Sequence, residues 1–179
     1  MLHGLLLAAG AGSRMGMPKA LVDDWLVRSV AVLREGGCDQ VSVVLGAAAD
    51  EAAGLLTEDE RVIVAADWAS GMSASLRAGL DALCVRSADD EAALVHLVDL
   101  PDVGDDVIAR VARLTAPDAL ARAAYGGVPG HPVLIGRRHW AGVIDTLVGD
   151  QGAKAYLRHH GAALVECGDL AGGRDVDSR

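Results

Sequence analysis

Phenylalanine is absent from this chain of 179 residues, and Phe, Trp and Tyr together supply only 3% of it. A core must therefore be assembled from Ala, Val and Leu, and there is no set of aromatic platforms on which single-stranded nucleic acid could stack. Excess positive charge is missing too. Lys and Arg number 16 against 25 Asp and Glu, a net charge of −9. That balance argues against a non-specific DNA or RNA binder, although a local cluster of cations can still hold a small anion. Cysteine is scarce: Cys38, Cys84 and Cys167 are odd in number and far apart, with no C-x-x-C. Neither a zinc knuckle nor a redox pair is indicated, and the expectation is buried thiols in a reducing cytoplasm. No apolar run is long enough to span a membrane. Residues 1–10 lack a basic leader and a signal-length apolar core, and read as a strand.

What is present suits a globular protein: 51% hydrophobic and 23% charged residues, in a length that fits a single domain over residues 1–179. A chain of this size holds a core without disulfides or structural metal. Short apolar blocks alternate with segments of helical period. Strands are predicted over Leu2–Ala8, Gln40–Leu45, Arg61–Ala65, Ala92–Val98, Ala121–Tyr125, Pro132–Ile135 and Ala163–Glu166. Helices are predicted over Asp24–Glu35, from Asp50 to about Leu56, through Met72, Leu76, Leu80 and Leu83, through Val103–Leu114, and from Trp140 to Leu147. Met72 and Leu76 read as core. The β-α alternation predicts an α/β fold, a three-layer Rossmann-like arrangement with a mostly parallel sheet and helices on both faces. Ligands of such sheets bind at the carboxyl ends of the strands.

The first strand runs into Ala8-Ala9-Gly10-Ala11-Gly12-Ser13-Arg14-Met15-Gly16-Met17-Pro18-Lys19. Two familiar glycine loops fail here. The dinucleotide fingerprint needs a third glycine where Met15 stands and an acid near Leu45-Gly46, and the Walker loop needs a Gly-Lys pair. What remains is a set of glycine turns with two cations, Arg14 and Lys19, more than a connecting turn requires. Backbone N–H groups and two positive charges in one loop suit a triphosphate. Asp99 follows a buried strand at its carboxyl end, where a carboxylate faces the crevice, while Asp102 is the better candidate for a turn or cap.

The run L-A-A-G-x-G-S-R-M-G-x-P-K resembles the MobA-like NTP transferases, which attach nucleotides to the molybdenum cofactor. Further stretches are similar and in the same order: Gly71–Leu80, Val98–Asp102, Gly130–Leu134, Gly149–Ala153 and Asp175–Asp177. Ala8-Ala9-Gly10 resembles members that use CTP, and the overall pattern is most similar to the molybdenum cofactor cytidylyltransferases. The resemblance implies a Mg²⁺-dependent transfer of CMP from CTP to a phosphorylated acceptor such as molybdopterin, with release of pyrophosphate. It implies catalytic roles for Arg14, Lys19 and Asp99, nucleotide contacts from Ala8, Ala9, Gly10, Gly12, Ser73 and Ser75, and acceptor contacts from His131, Asp150 and Gly152, with Lys154 nearby. Asp99 is implied as one metal ligand and a C-terminal acid as the second, Asp177 in preference to Asp175. His131, between Gly and Pro, reads equally as a structural histidine.

Two departures stand out. The segment Ala20–Trp25 is several residues shorter than the family's, beside the acceptor region, and Ser178-Arg179 stand where the family continues T-P-E-D. Acceptor identity and the second metal ligand are therefore open. The alternatives are a transferase for a sugar, polyol or phospholactate phosphate, an oxidoreductase on the same fold, and a non-catalytic binding protein.

Overall fold

The computed structural model describes residues 1–86 and 89–177. A seven-stranded sheet forms its centre, in the order β3-β2-β1-β4-β6-β5-β7. The strands are β1 (Leu2–Ala8), β2 (Gln40–Leu45), β3 (Arg61–Val64), β4 (Ala92–Leu97), β5 (Leu120–Tyr125), β6 (Val128–Gly136) and β7 (Ala163–Glu166). The first four run parallel, β1 pairing with β2 and β4, and β2 with β3. β6 is antiparallel to both β4 and β5, while β5 and β7 are again parallel. The sheet is thus mostly parallel, as its βαβ alternation predicts.

All seven residues of β1 are buried, because helices cover both faces. One face packs Leu6, Val43 and Leu94 beneath α1 (Trp25–Glu35), α2 (Ala49–Ala53) and α4 (Asp105–Ala112). The other packs Leu5, Val44 and Val95 beneath α3 (Met72–Arg86), α5 (Trp140–Thr146) and α6 (Lys154–His159). Without Phe, the densest spots use small residues for close approach. A Cβ on Gly36 would lie 2.4 Å from Ile108, and one on Gly79 2.7 Å from Leu5.

Several elements differ from their sequence-based bounds. The α2 helix ends at Ala53, and Asp50 lies inside its first turn rather than capping it. β6 begins four residues earlier than its apolar run, since Val128 and Pro129 pair with β5. Cys38 and Cys167 are buried, but Cys84 is exposed, against the expectation of three buried thiols.

Among the described residues, no helix is long and apolar enough to cross a membrane.

Candidate active site

β1 and β4 lie side by side, and their carboxyl ends open together. From Ala8 the chain enters the glycine loop, which folds back on itself: the Met15 and Gly16 N–H groups both donate to the Gly12 carbonyl, at 2.8 and 3.0 Å. Gly12 has φ +60°, and a Cβ there would sit 2.0 Å from the Met17 carbonyl oxygen. No other residue fits without moving the loop. Gly12→Ala is therefore expected to displace Arg14 and Lys19 and cut the affinity of the loop for a triphosphate by at least about tenfold, roughly one lost charge-assisted contact. Calorimetric titration with inorganic triphosphate checks it. Nothing lies within 4 Å of a Cβ built on Gly10, so that stretch of backbone is open to a ligand.

Lys19 opens a short 3-10 turn, Lys19–Leu21. Its Nζ donates to Asp99 Oδ2 at 2.5 Å and to Asp177 Oδ1 at 2.7 Å. Arg14 Nη1 donates to Asp177 Oδ2 at 3.0 Å. Desolvation works against the Lys19 charge, but the hydrogen bonds to Asp177 and Asp99 outweigh it and raise its pKa. The same bond, with the Lys19 charge, holds the Asp177 carboxyl below the usual carboxylate range.

Asp177 reaches the site on an irregular segment that is tied down twice. Asp102 Oδ2 accepts the Gly172 and Gly173 N–H groups at 2.8 and 3.0 Å. The Val176 N–H donates to the Asp99 carbonyl at 3.0 Å. Asp99, Asp175 and Asp177 then each present a carboxylate oxygen within 4.8 Å of the other two. Asp99 Oδ1 is buried and has no hydrogen-bond partner. An all-oxygen acidic group with one orphaned acceptor fits a hard divalent cation.

Ala8, Ala9, Gly10, Gly12, Arg14 and Lys19 line one cleft of about 460 Å³, with Ser75, Asp99, Asp150 and Asp177 on its other walls. Ser73 is placed otherwise. It is buried, and its Oγ accepts the Gly152 N–H at 3.1 Å, so its hydroxyl holds the 149–152 loop against α3. That loop is also held by the Gly149 carbonyl, which accepts the Ser73 N–H at 3.0 Å, and by Asp150 Oδ1, which accepts the Met72 N–H at 3.3 Å. Gly71, with φ +111°, permits this: a Cβ there would lie 2.2 Å from Asp150 Oδ1.

His131 and Gly152 line a neighbouring cavity of about 420 Å³, which Asp150 and Lys154 share. Burial pushes the His131 pKa down to about 3, with the Arg122 charge and His96 adding to the effect. His131 is therefore a neutral imidazole at ordinary pH and contributes no charge to that cavity.

Three lining residues escape a reading of the sequence. Met72, expected in the core, is 37% exposed and borders both cavities. Trp68 forms a wall of the first, packed so close to the end of β2 that a Cβ on Gly46 would meet its Cγ at 2.4 Å. Here lies a local reason for glycine where a dinucleotide fold carries an acid. Arg122 on β5 borders the second cavity. Its signal in the sequence was only a charge inside the otherwise apolar run Ala121–Tyr125.

This chain belongs to the MobA-like NTP transferase family, whose domain profile matches residues 4–164. It is 36% identical over 190 residues to a nicotine blue oxidoreductase of Paenarthrobacter nicotinovorans, covering 98% of this chain and 91% of that protein. A nucleotidyl transferase of Methanothermobacter thermautotroptrophicus has the same fold: TM-score 0.83, 22% identity, 99% of this chain and 92% of the other. A Mycobacterium tuberculosis protein solved in complex with manganese does too, with TM-score 0.73, 24% identity, 93% of this chain and 86% of the other. The family places the chain among the NTP transferases, and the fold agrees with it.

Proposed function

We propose that this chain transfers CMP from CTP to a phosphorylated acceptor, with molybdopterin as the leading candidate, and releases pyrophosphate in a Mg²⁺-dependent reaction. The observation that carries the reading is Lys19, poised beneath an open glycine loop between the two acids Asp99 and Asp177. Cations and carboxylates meet at one point, which is what a site for a metal-bound triphosphate requires.

An oxygen of the acceptor phosphate forms a bond to the α-phosphorus of CTP. The bond from that phosphorus to the oxygen bridging the α- and β-phosphates breaks, and pyrophosphate departs with the electron pair. Arg14 and Lys19 stabilise the charge on the departing phosphates, and backbone N–H groups of the glycine loop orient the chain of phosphates. Asp99 and Asp177, with Asp175 beside them, would hold Mg²⁺, which supplies further charge neutralisation when bound. Ala8-Ala9-Gly10 and the Trp68 wall offer the base a backbone edge and a flat apolar surface.

The test is pyrophosphate release with each of the four NTPs, paired with thermal melting in Mg²⁺. CTP is expected to give the largest stabilisation, about 2.7 kcal/mol at roughly 100 times Kd. A clear preference for GTP rejects the cytidylyl reading and leaves the transferase reading standing.

A second reading is favoured by one observation, the 36% identity to a nicotine blue oxidoreductase over nearly the whole chain. Reduction of a dye at the expense of a nicotinamide cofactor is its content. Against it stands Met15, where a dinucleotide loop has its third glycine. Oxidation of NADPH in the presence of a dye, at a rate above that of the uncatalysed mixture, favours it.

A further inference from the structure

Buried or half-buried cations in proteins are normally paired, because a desolvated charge without a counter-charge is costly. Lys19 and Arg110 follow the rule, each with a carboxylate in reach. Among the described residues the half-buried Arg61, Arg77 and Arg122 make no ion pair, and of the three Arg122 is the one on the cavity walls. Its Nε and Nη2 both donate to the neutral Gly130 carbonyl, at 3.1 and 3.0 Å. Burial lowers its pKa, with no carboxylate opposing the effect. A guanidinium nonetheless stays charged.

The local fold aims this charge. Ala121 and Ala123, its neighbours on β5, belong to the core on the α1 side, so Arg122 stands on the opposite face. The pairing of β5 with β6 shifts register between Arg122 and Ala124, and such irregularities re-aim side chains. Arg122 borders both the 420 Å³ cavity and a wider one of about 1000 Å³ that also contains Asp99 and Asp177. The smaller cavity is walled by Leu76, Val95, Val133, Ile135 and Leu157. His131 there is neutral, and Lys154 stands exposed at the rim.

We propose that Arg122 receives an anionic group of the second substrate, and that the cavity beside it takes that molecule's compact, non-hydroxylated body. The ligand class is an organic phosphate on a ring skeleton without hydroxyls, a class that holds the pterin acceptor named above and aryl phosphates alike. A sugar or polyol phosphate is disfavoured, since the walls Leu76, Val95, Val133, Ile135 and Leu157 outnumber the polar side chains His131, Asp150, Gln151 and Lys154 that its several hydroxyls would need. The proposal rests on the reading of this cleft as the acceptor side of a transferase, and it selects among acceptors for that reading.

The experiment is calorimetric titration of the whole protein, without metal or nucleotide, against three compounds: 2-naphthyl phosphate, 2-naphthol and glycerol 3-phosphate. The first is expected to bind at least about tenfold tighter than either of the others, since it alone offers both an anion for a charge-assisted bond and an apolar body. Arg122→Gln is expected to weaken 2-naphthyl phosphate by about 10–100-fold, the range for a hydrogen bond to a charged group, and to leave 2-naphthol and CTP affinities unchanged. Arg122→Lys is expected to recover part of the loss. Equal binding of glycerol 3-phosphate and 2-naphthyl phosphate by the wild type overturns the proposal, and that comparison needs no variant. So does undiminished binding of 2-naphthyl phosphate by Arg122→Gln. A parallel loss of 2-naphthol and CTP affinity also overturns it, because Arg122 would then serve only to hold the Gly130 strand. Pyrophosphate release is measured separately. Its absence beside intact 2-naphthyl phosphate binding rejects the transferase reading and leaves the Arg122 pocket in place.

Discussion

Replacing Asp99 with Asn is expected to lower metal-dependent turnover by about 10²–10³-fold, the usual effect of removing one charge-stabilising group from a transition state. The exchange keeps the shape of the side chain and one of its oxygens. It deletes a carboxylate that is 14% exposed, whose Oδ2 meets Lys19 and whose Oδ1 has no partner. An acid in that position repels a triphosphate unless a cation stands between them. Asp99→Asn is therefore expected to bind CTP in the absence of metal at least as tightly as the wild type, while losing the gain that Mg²⁺ or Mn²⁺ brings. Calorimetry on both proteins, with and without metal, separates the two effects. Full metal-dependent turnover by the variant removes Asp99 from the proposed metal site.

Much of the fold can be read from the chain because the signals are local. Gln40–Leu45 and Ala163–Glu166 are strands with the bounds that their apolar runs predict. The β6 strand is longer than its apolar run predicts: Pro129 and Gly130 precede the predicted start at Pro132, and they are tolerated because β6 meets β4 only over Val133–Gly136 and needs no N–H on that side before it. The α6 helix, six residues long, is too short to show a period.

The candidate site divides along the same line. Arg14, Lys19 and the glycines share one loop, and Asp99 ends one strand, so each can be picked out by neighbours in sequence. Trp68 and Arg122 cannot, since each looks ordinary until strands far apart in sequence put it on a cavity wall. Ser73 shows the opposite hazard. The family resemblance implies a nucleotide contact for it, but its side chain is buried, its Oγ accepts the Gly152 N–H, and Ser75 rather than Ser73 lines the cleft. Asp102 read as a turn residue, and its bonds to Gly172 and Gly173 show what the turn is for: it holds the segment that delivers Asp175 and Asp177.

The largest combined effect is expected from Lys19→Met. The side chain is 17% exposed, and its ammonium lies 2.5 Å from one Asp99 oxygen and 2.7 Å from one Asp177 oxygen. It thus occupies the position between two carboxylates that a divalent cation would otherwise take, and the protein in this state neutralises its own acids. Methionine preserves the apolar stem and removes the charge. Two consequences should then run in opposite directions. Turnover falls by about 10²–10³-fold, because a cation facing the phosphates in the transition state is gone. Metal affinity without nucleotide rises, because Asp99 and Asp177 have lost the competitor that screened them. Thermal melting reads the second effect directly: Mn²⁺ alone should stabilise Lys19→Met more than it stabilises the wild type, by mass action on the folded state. A residue that merely fastened the loop would lower stability with and without metal alike. Equal responses of the two proteins to Mn²⁺, with turnover within a few-fold of wild type, would mean that Lys19 faces neither the metal nor the phosphates.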